Sequence, residues 1–572
     1  MNSYRYSLAE IQRQIDEVVR FLSVTLSIAN AHTVEFYTHD VWKRFMAVTP
    51  EEVLSAVSSS SDQQREPQHK GLERSRTTFG FCTASNRLLD IHELFEAATA
   101  HSLPGLGVCL SREELLRELR GSASEPAQIG AELEADEFMN SKKSHEVQSM
   151  SEVVACLAQN CGVKQVVDVG SGKGYLSSFL SLQFGLRVYG IDSSSTNTHG
   201  AQERNRKLKK FSRAYQKHVK AARTEVEETV KGKLELREDE AVLCHRSAGS
   251  GSVGSSHINP AVEVQPEIIP ETEELFLSAL SADVIQASPP RVAPSQLSAE
   301  EKERRKRANL ERKARSRRDS SGGVFAPLTS YVTADTELRE LITELEGAVV
   351  VGLHTCGDLA ASTLRMFVAK AELAAVCGVG CCYHLLSEEF DPDGQERLQT
   401  ACGFPLSQYL RHQSWFCGRN ARMSACLALE RVSLGQGIQM ESLFYRAVLH
   451  VLLRDHYSSY KSEKRVGNVY SKATSFVDYV RRALRRLELD DSKLSDSDIQ
   501  AYSDLYRARM GEMHAFNMLK VTLAPCIEGL ILLDRLCYLK EQDGVASSAL
   551  VQLFDPLLSP RCYAVVGLKK QR

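Results

Sequence analysis

Along the first part of the chain apolar residues recur at helical spacing, as at Ile11, Val18, Val19, Phe21 and Leu22, until a polar stretch from Ser58 to Arg76 interrupts them. A helical N-terminal region over 1–135 is predicted. The texture changes where the apolar run Val166, Val167 and Val169 meets a glycine-rich turn; Tyr175 to Phe184 then reads as helix and Arg187 to Ile191 as a second strand. That is one β-α-β unit. After a basic helical stretch from Arg204 to Lys220, residues 241–325 carry Ser, Gly, Pro and charge without sustained periodicity, which predicts a disordered insertion.

Strand texture resumes at Leu328 to Thr333 and again at Gly347 to Leu353, which is short, β-branched and apolar, as a fully buried parallel strand should be. Ala374 to Val379 is a further strand. Residues 436–545 read as a helical insertion, with Leu443, Ala447, Val448 and Val451 on one face. The chain closes with two apolar runs, 549–554 and 562–568, around the Pro-rich turn 555–560, an antiparallel pair added to a parallel sheet. The expected architecture is α/β: a doubly wound, Rossmann-like sheet built from 136–240 and 326–435 and closed by a strand pair over 546–572.

Composition adds little to the fold and more to the setting. The chain has 572 residues, 43% hydrophobic, and a formal net charge of −3, so attraction to a polyanion must come from a local patch. One exists at 302–318, KERRKRANLERKARSRR. It reads as a solvated charged helix, as an RNA-contacting arm, or as a nuclear import signal. The 15 cysteines are scattered and the N-terminus lacks the blocks of a secretion signal, so thiols in a cytoplasmic or nuclear setting are expected. The apolar stretch Leu523 to Asp534 is short and carries Glu528 and Asp534; it reads as a buried helix, with no membrane span expected.

The chemistry concentrates at Asp168-Val-Gly-Ser-Gly-Lys-Gly174. Strand, acid, then Gly170, Gly172 and Gly174 opening a helix is a pattern that resembles class I methyltransferases. Glycines permit positive φ and close backbone approach, and the carboxylate suits the ammonium and sulfonium of S-adenosylmethionine, the cofactor this pattern implies. A dinucleotide fold wants a further Gly or Ala where this chain has Tyr175, and the loop lacks the ending of a nucleotide P-loop. Asp192, ending the next strand, is placed to accept ribose hydroxyls or to cap a helix. Thr333, Ala334 and Asp335, after the third strand, are candidates for adenine recognition.

Beyond the cofactor, His354-Thr-Cys-Gly-Asp358 follows the fourth strand, at the edge where doubly wound sheets place ligands. His354 suits a base or a contact to the cofactor, and Asp358 a catalytic role or a helix N-cap. His384 follows the fifth strand as a third catalytic candidate. No metal is expected: Cys377, Cys381, Cys382 and His384 lie together, but no second Cys pair at ligand spacing accompanies them. Enzymes that methylate exocyclic adenine amines carry Asn/Asp-Pro-Pro-aromatic after the fourth strand, where this chain has His-Thr-Cys-Gly, so that reaction is not expected.

Taken together, residues 139–147 (MNSKKSHEV), 167–176, 352–359, 380–384 (GCCYH) and 559–563 resemble the methyltransferase-like protein 25 family over most of the chain outside the insertion. The resemblance implies a class I fold and S-adenosylmethionine as cofactor. The Lys-Lys-x-His-Glu and Cys-Cys-x-His runs are similar to those of eukaryotic tRNA 2′-O-methyltransferases. That likeness implies Lys143, His145 and Glu146 at the cofactor or substrate mouth, with His354 and His384 nearby. Methylation of rRNA or tRNA is the expected activity; a protein or small-molecule acceptor, or a catalytically silent scaffold, are the alternatives.

Overall fold

The computed structural model describes residues 6–62, 78–80, 88–121, 139–208, 325–396, 401–427, 440–457, 466–467 and 469–570, with isolated positions at 304, 307, 429 and 432. Of the predicted insertion 241–325, exposed Arg304 and Arg307 and its last residue, Phe325, are described; the rest of it, with the rest of the basic run 302–318, lies outside the described residues.

An eight-stranded sheet organises the molecule. Its strands are β1 (Cys109–Ser111), β2 (Gln165–Val169), β3 (Arg187–Asp192), β4 (Phe325–Thr329), β5 (Ala348–Cys356), β6 (Leu373–Cys381), β7 (Val545–Gln552) and β8 (Tyr563–Lys569). They lie in the order β4-β3-β2-β5-β6-β8-β7-β1. From β4 to β6 neighbours are parallel, while β8 runs antiparallel to both β6 and β7. This is a Rossmann-like methyltransferase sheet with the expected C-terminal antiparallel pair. Strand order reverses between β2 and β5, so a crevice opens at their C-terminal ends.

Both faces are covered, which explains the uninterrupted apolar strands. Side chains alternate: Val166, Val349, Val351 and Cys377 join one cluster with Val153, Val154 and Leu157 of α2 (Ser141–Asn160). Val167, Val169, Val350 and Val376 join the other, which contains much of α5 (Met510–Lys540). Helices α3 (Tyr175–Phe184) and α4 (Asp358–Ala369) follow β2 and β5. Pro327 sits in β4, the sheet's outer strand, where its missing N–H is tolerated.

Three boundaries differ from expectation. The N-terminal region is helical in α1 (Leu8–Asn30) and several shorter helices, but it also supplies β1, whose three residues pair in parallel with Leu550–Gln552. It is part of the sheet domain. Strand β4 begins at Phe325, earlier than the apolar run suggested, and β5 continues past Leu353 through a bulge to Cys356. Helix α5 is long and apolar enough to cross a membrane by composition, yet 94% of its most apolar window is buried inside the protein. It packs against α1 and β7.

Candidate active site

The cofactor-type loop leaves β2 at the strand-order reversal. Gly170, Gly172 and Gly174 adopt φ of +73°, +53° and +71°, conformations that a side chain strains. At Gly174 space is limiting as well: a Cβ would lie 2.8 Å from Phe325 Cζ. At Gly172 the nearest atom to such a Cβ is 4.0 Å away, so that face is open. Beside the loop lies a cleft of about 290 Å³, walled by Asp168, Gly170, Gly172 and Tyr175, by Asn140 and Lys143 of α2, and by Leu353 of β5.

Asp168 is buried, and the hydroxyl of Ser177, in the first turn of α3, donates to its Oδ2 at 2.5 Å. Its Oδ1 is buried without a hydrogen-bond partner, as is the hydroxyl of Ser171. Burial, reinforced by the charge of Asp192 and opposed by Ser177, pushes the Asp168 carboxyl up to about 7. Such an orphaned oxygen is costly unless something fills it.

Of the two parts its position suggested, Asp192 is seen here at the start of the next helix. Its Oδ2 accepts the Gly172 N–H at 3.0 Å, and its Oδ1 accepts from Ser194 N–H and from Asn197 Nδ2. It therefore clamps the glycine loop to the start of the next helix, and it does not line the cleft.

Glu146 is the hub on the cleft's other side. Completely buried on α2, it pairs with His354 Nε2 at 2.9 Å and accepts from Lys143 Nζ and Ser559 Oγ, each at 2.7 Å. Burial alone would raise its carboxyl, but the His354 bond and the charges of His354, Lys143 and Lys142 hold it well below the usual carboxylate range. His354 sits at φ +64° in the bulge that extends β5. The chain segment before β2, the end of β5 and the C-terminal turn thus meet on one carboxylate.

The remaining candidates fall elsewhere. His145 Nε2 accepts the Asp555 N–H at 2.9 Å, fixing the closing turn. Asp358 is neither a cap nor in the cleft: the N-cap of α4 is Gly357, and Asp358 Oδ1 accepts the Ser387 N–H. His384 is buried, and burial with the charges of Arg419 and Arg422 lowers its imidazole to about 4. It faces Cys426, not the cleft. Asp335 is exposed in a turn beyond β4. Of the cysteines, Cys377 packs in the core, but Cys356 joins Cys381 and Cys382 in a thiol cluster that spacing did not reveal. Ser177 was also overlooked. Its signal was positional, three residues after Gly174 on the helix turn that faces back over the loop.

A family model described as a methyltransferase domain matches residues 142–389, a span that contains the glycine loop, Glu146 and His354. The probable methyltransferase-like protein 25 of Homo sapiens is 47% identical across 99% of this chain and 98% of its own length. The protein of the same name from Mus musculus is 48% identical across 99% of this chain and 97% of its own length. No solved structure matches. Full-length identity at this level, over a methyltransferase sheet whose glycine loop opens on a cleft, places the chain in the methyltransferase-like protein 25 family.

Proposed function

We propose that this methyltransferase uses S-adenosylmethionine and acts on RNA. The observation that carries the cofactor reading is Asp168, whose Oδ1 is buried beside the cleft with no partner while Ser177 holds the other oxygen. A ligand that brings an ammonium and a sulfonium supplies what that oxygen lacks, and Ser171 Oγ offers a second unfilled hydrogen-bonding atom. The open face of Gly172 admits the ligand to the backbone. When bound, S-adenosylmethionine supplies an electrophilic methyl group.

The chain's own residues do the rest. Asp192 holds the loop through the Gly172 N–H. Glu146 holds His354 through Nε2 and so orients the ring, one residue from the cleft wall at Leu353, as the candidate general base. The RNA reading rests on Lys143 and Lys173 along the cleft and on the basic run 302–318, a run able to neutralise phosphates. With His354-Thr-Cys-Gly357 following Leu353, the acceptor is an atom other than the exocyclic amine of adenine.

The test is transfer of tritiated methyl from S-adenosylmethionine by the full-length protein to RNA and protein fractions from cells lacking it, followed by nucleoside mass spectrometry. Label should enter RNA and disappear with Asp168→Asn. Deleting residues 302–318 should weaken RNA binding and flatten its salt dependence. Label confined to protein or small metabolites refutes the RNA assignment, and absence of S-adenosylmethionine binding refutes the cofactor.

A further inference from the structure

Outside the cleft, three thiols converge at the ends of two neighbouring central strands. Cys356 Sγ lies 3.1 Å from Cys381 Sγ and 3.2 Å from Cys382 Sγ, and the latter two are 3.6 Å apart. None of the three is in a disulfide. Such a triangle is tighter than neutral thiols have reason to form, and a disulfide would join two and strand the third. An ion at the usual Zn–S distance of about 2.3 Å from each sulfur would sit roughly 1.3 Å above the plane of the triangle.

The backbone is bent to build this triangle. On a regular strand Cys381 and Cys382 would face opposite sides. Cys382 instead takes φ +48°, a conformation costly for a non-glycine residue, and the turn brings its sulfur round beside that of Cys381. On the neighbouring strand the register slips between Leu353 and Thr355, with His354 also left-handed, two residues before Cys356 delivers its sulfur. Two strained residues, one in β5 and one just past the end of β6, flank one sulfur cluster and indicate a purpose for it.

We infer that Cys356, Cys381 and Cys382 are ligands of a structural zinc ion that clamps the C-terminal ends of β5 and β6. Three thiolates select a soft cation, and zinc takes such ligands in a closed tetrahedral site. Cys426 is not one of the three: its sulfur faces the main chain of Tyr383 and His384, 3.8 Å from His384 Nδ1, outside the group of sulfurs that lie within 4.8 Å of one another, so the fourth position of the ion falls to a further donor. Cys356 stands 25 residues before Cys381, which explains why ligand spacing gave no warning. Cys356 Sγ also approaches His354 O at 3.6 Å, so the ion would stiffen the bulge that presents His354 to Glu146. The inference stands apart from the proposed methyl transfer.

The test is metal analysis of the full-length protein, purified without chelator, by plasma mass spectrometry. One equivalent of zinc per chain is expected, released by a mercurial that titrates thiols. Replacement by Co²⁺ should give the strong thiolate-to-cobalt charge-transfer absorption. Cys356→Ser, Cys381→Ser and Cys382→Ser should each lose the ion, whereas Cys156→Ser, on α2, should keep it. The wild-type metal content and cobalt spectrum do not depend on whether the variants fold. Folded wild-type protein with neither zinc nor a charge-transfer band on Co²⁺ addition overturns the inference. So does stoichiometric copper or iron, or a Cys356–Cys381 disulfide in protein alkylated at lysis.

Discussion

Replacing Asp168 by Asn should stabilise the empty protein at alkaline pH while destroying its cofactor site. In the folded chain the Asp168 carboxyl titrates near 7, because burial disfavours its charge, against about 3.9 unfolded. An acid raised in this way adds stability that is complete below about 3.9 and is lost as pH rises through 7. Between pH 5 and pH 8 the wild type should therefore lose about 2–3 kcal/mol relative to the Asn variant, at 1.36 kcal/mol per pKa unit. The amide's own mismatch, an N–H₂ where Oδ1 has no partner, is independent of pH and cancels from that comparison. Urea unfolding of both proteins, followed by circular dichroism at the two pH values, reads the difference. S-adenosylmethionine at a hundred times its Kd should restore about 2.7 kcal/mol to the wild type and nothing to the variant. Its affinity for the wild type should fall as pH drops below 7, since the ligand's cation requires the ionised carboxylate. Parallel pH profiles, or equal stabilisation of both proteins by the ligand, would refute the reasoning.

Gly172→Ala and Gly174→Ala should part company. Both strain a positive φ, at about 1–2 kcal/mol, but only Gly174→Ala drives a Cβ to 2.8 Å from Phe325, so its thermal midpoint should fall much further, while Gly172→Ala should fold and lose ligand affinity in calorimetry. Glu146→Gln should cost about 3 kcal/mol at pH 7 by leaving Lys143 and His354 without their shared carboxylate. Because the Glu146 carboxyl is held low in the fold, its contribution is present above about 4.3 and lost as pH falls through the folded value; denaturation midpoints of variant and wild type should converge in acid, and a gap that persists there would contradict the assignment.

What the sequence made legible was local. The three glycines need positive φ within five residues, and the apolar run before them needs burial on both faces, so loop, strand and helix could be read from neighbours alone. Asp192 shows the limit of such reading. Spacing placed it correctly at the end of β3, but spacing carries no information on whether its oxygens serve a ribose or, as found, the Gly172 N–H and a helix start. Strand β1 has three residues and pairs with Leu550–Gln552 more than four hundred positions away, so no window of sequence contains its signal. The end of β5 was missed for a related reason: His354, Thr355 and Cys356 look like a polar loop unless a bulge turns them back onto β6.

The same non-locality governs the site. Glu146 holds His354, Lys143 and Ser559, and the neighbouring His145 holds the Asp555 N–H, so both residues of one helical turn grip the C-terminal turn between β7 and β8. The cleft wall formed by Asn140 and Lys143 is therefore positioned by chain on either side of it, not by the glycine loop. Burial makes this arrangement strict: a carboxylate with no access to water must keep its partners, because each one lost leaves charge uncompensated in a medium of low dielectric. Closing the sheet with β7 and β8 is then a condition for forming the site as well as a feature of the fold. It follows that the loop proposed to hold the cofactor and the network which would deprotonate an acceptor depend on separate parts of the chain, and that damage to one need not disturb the other.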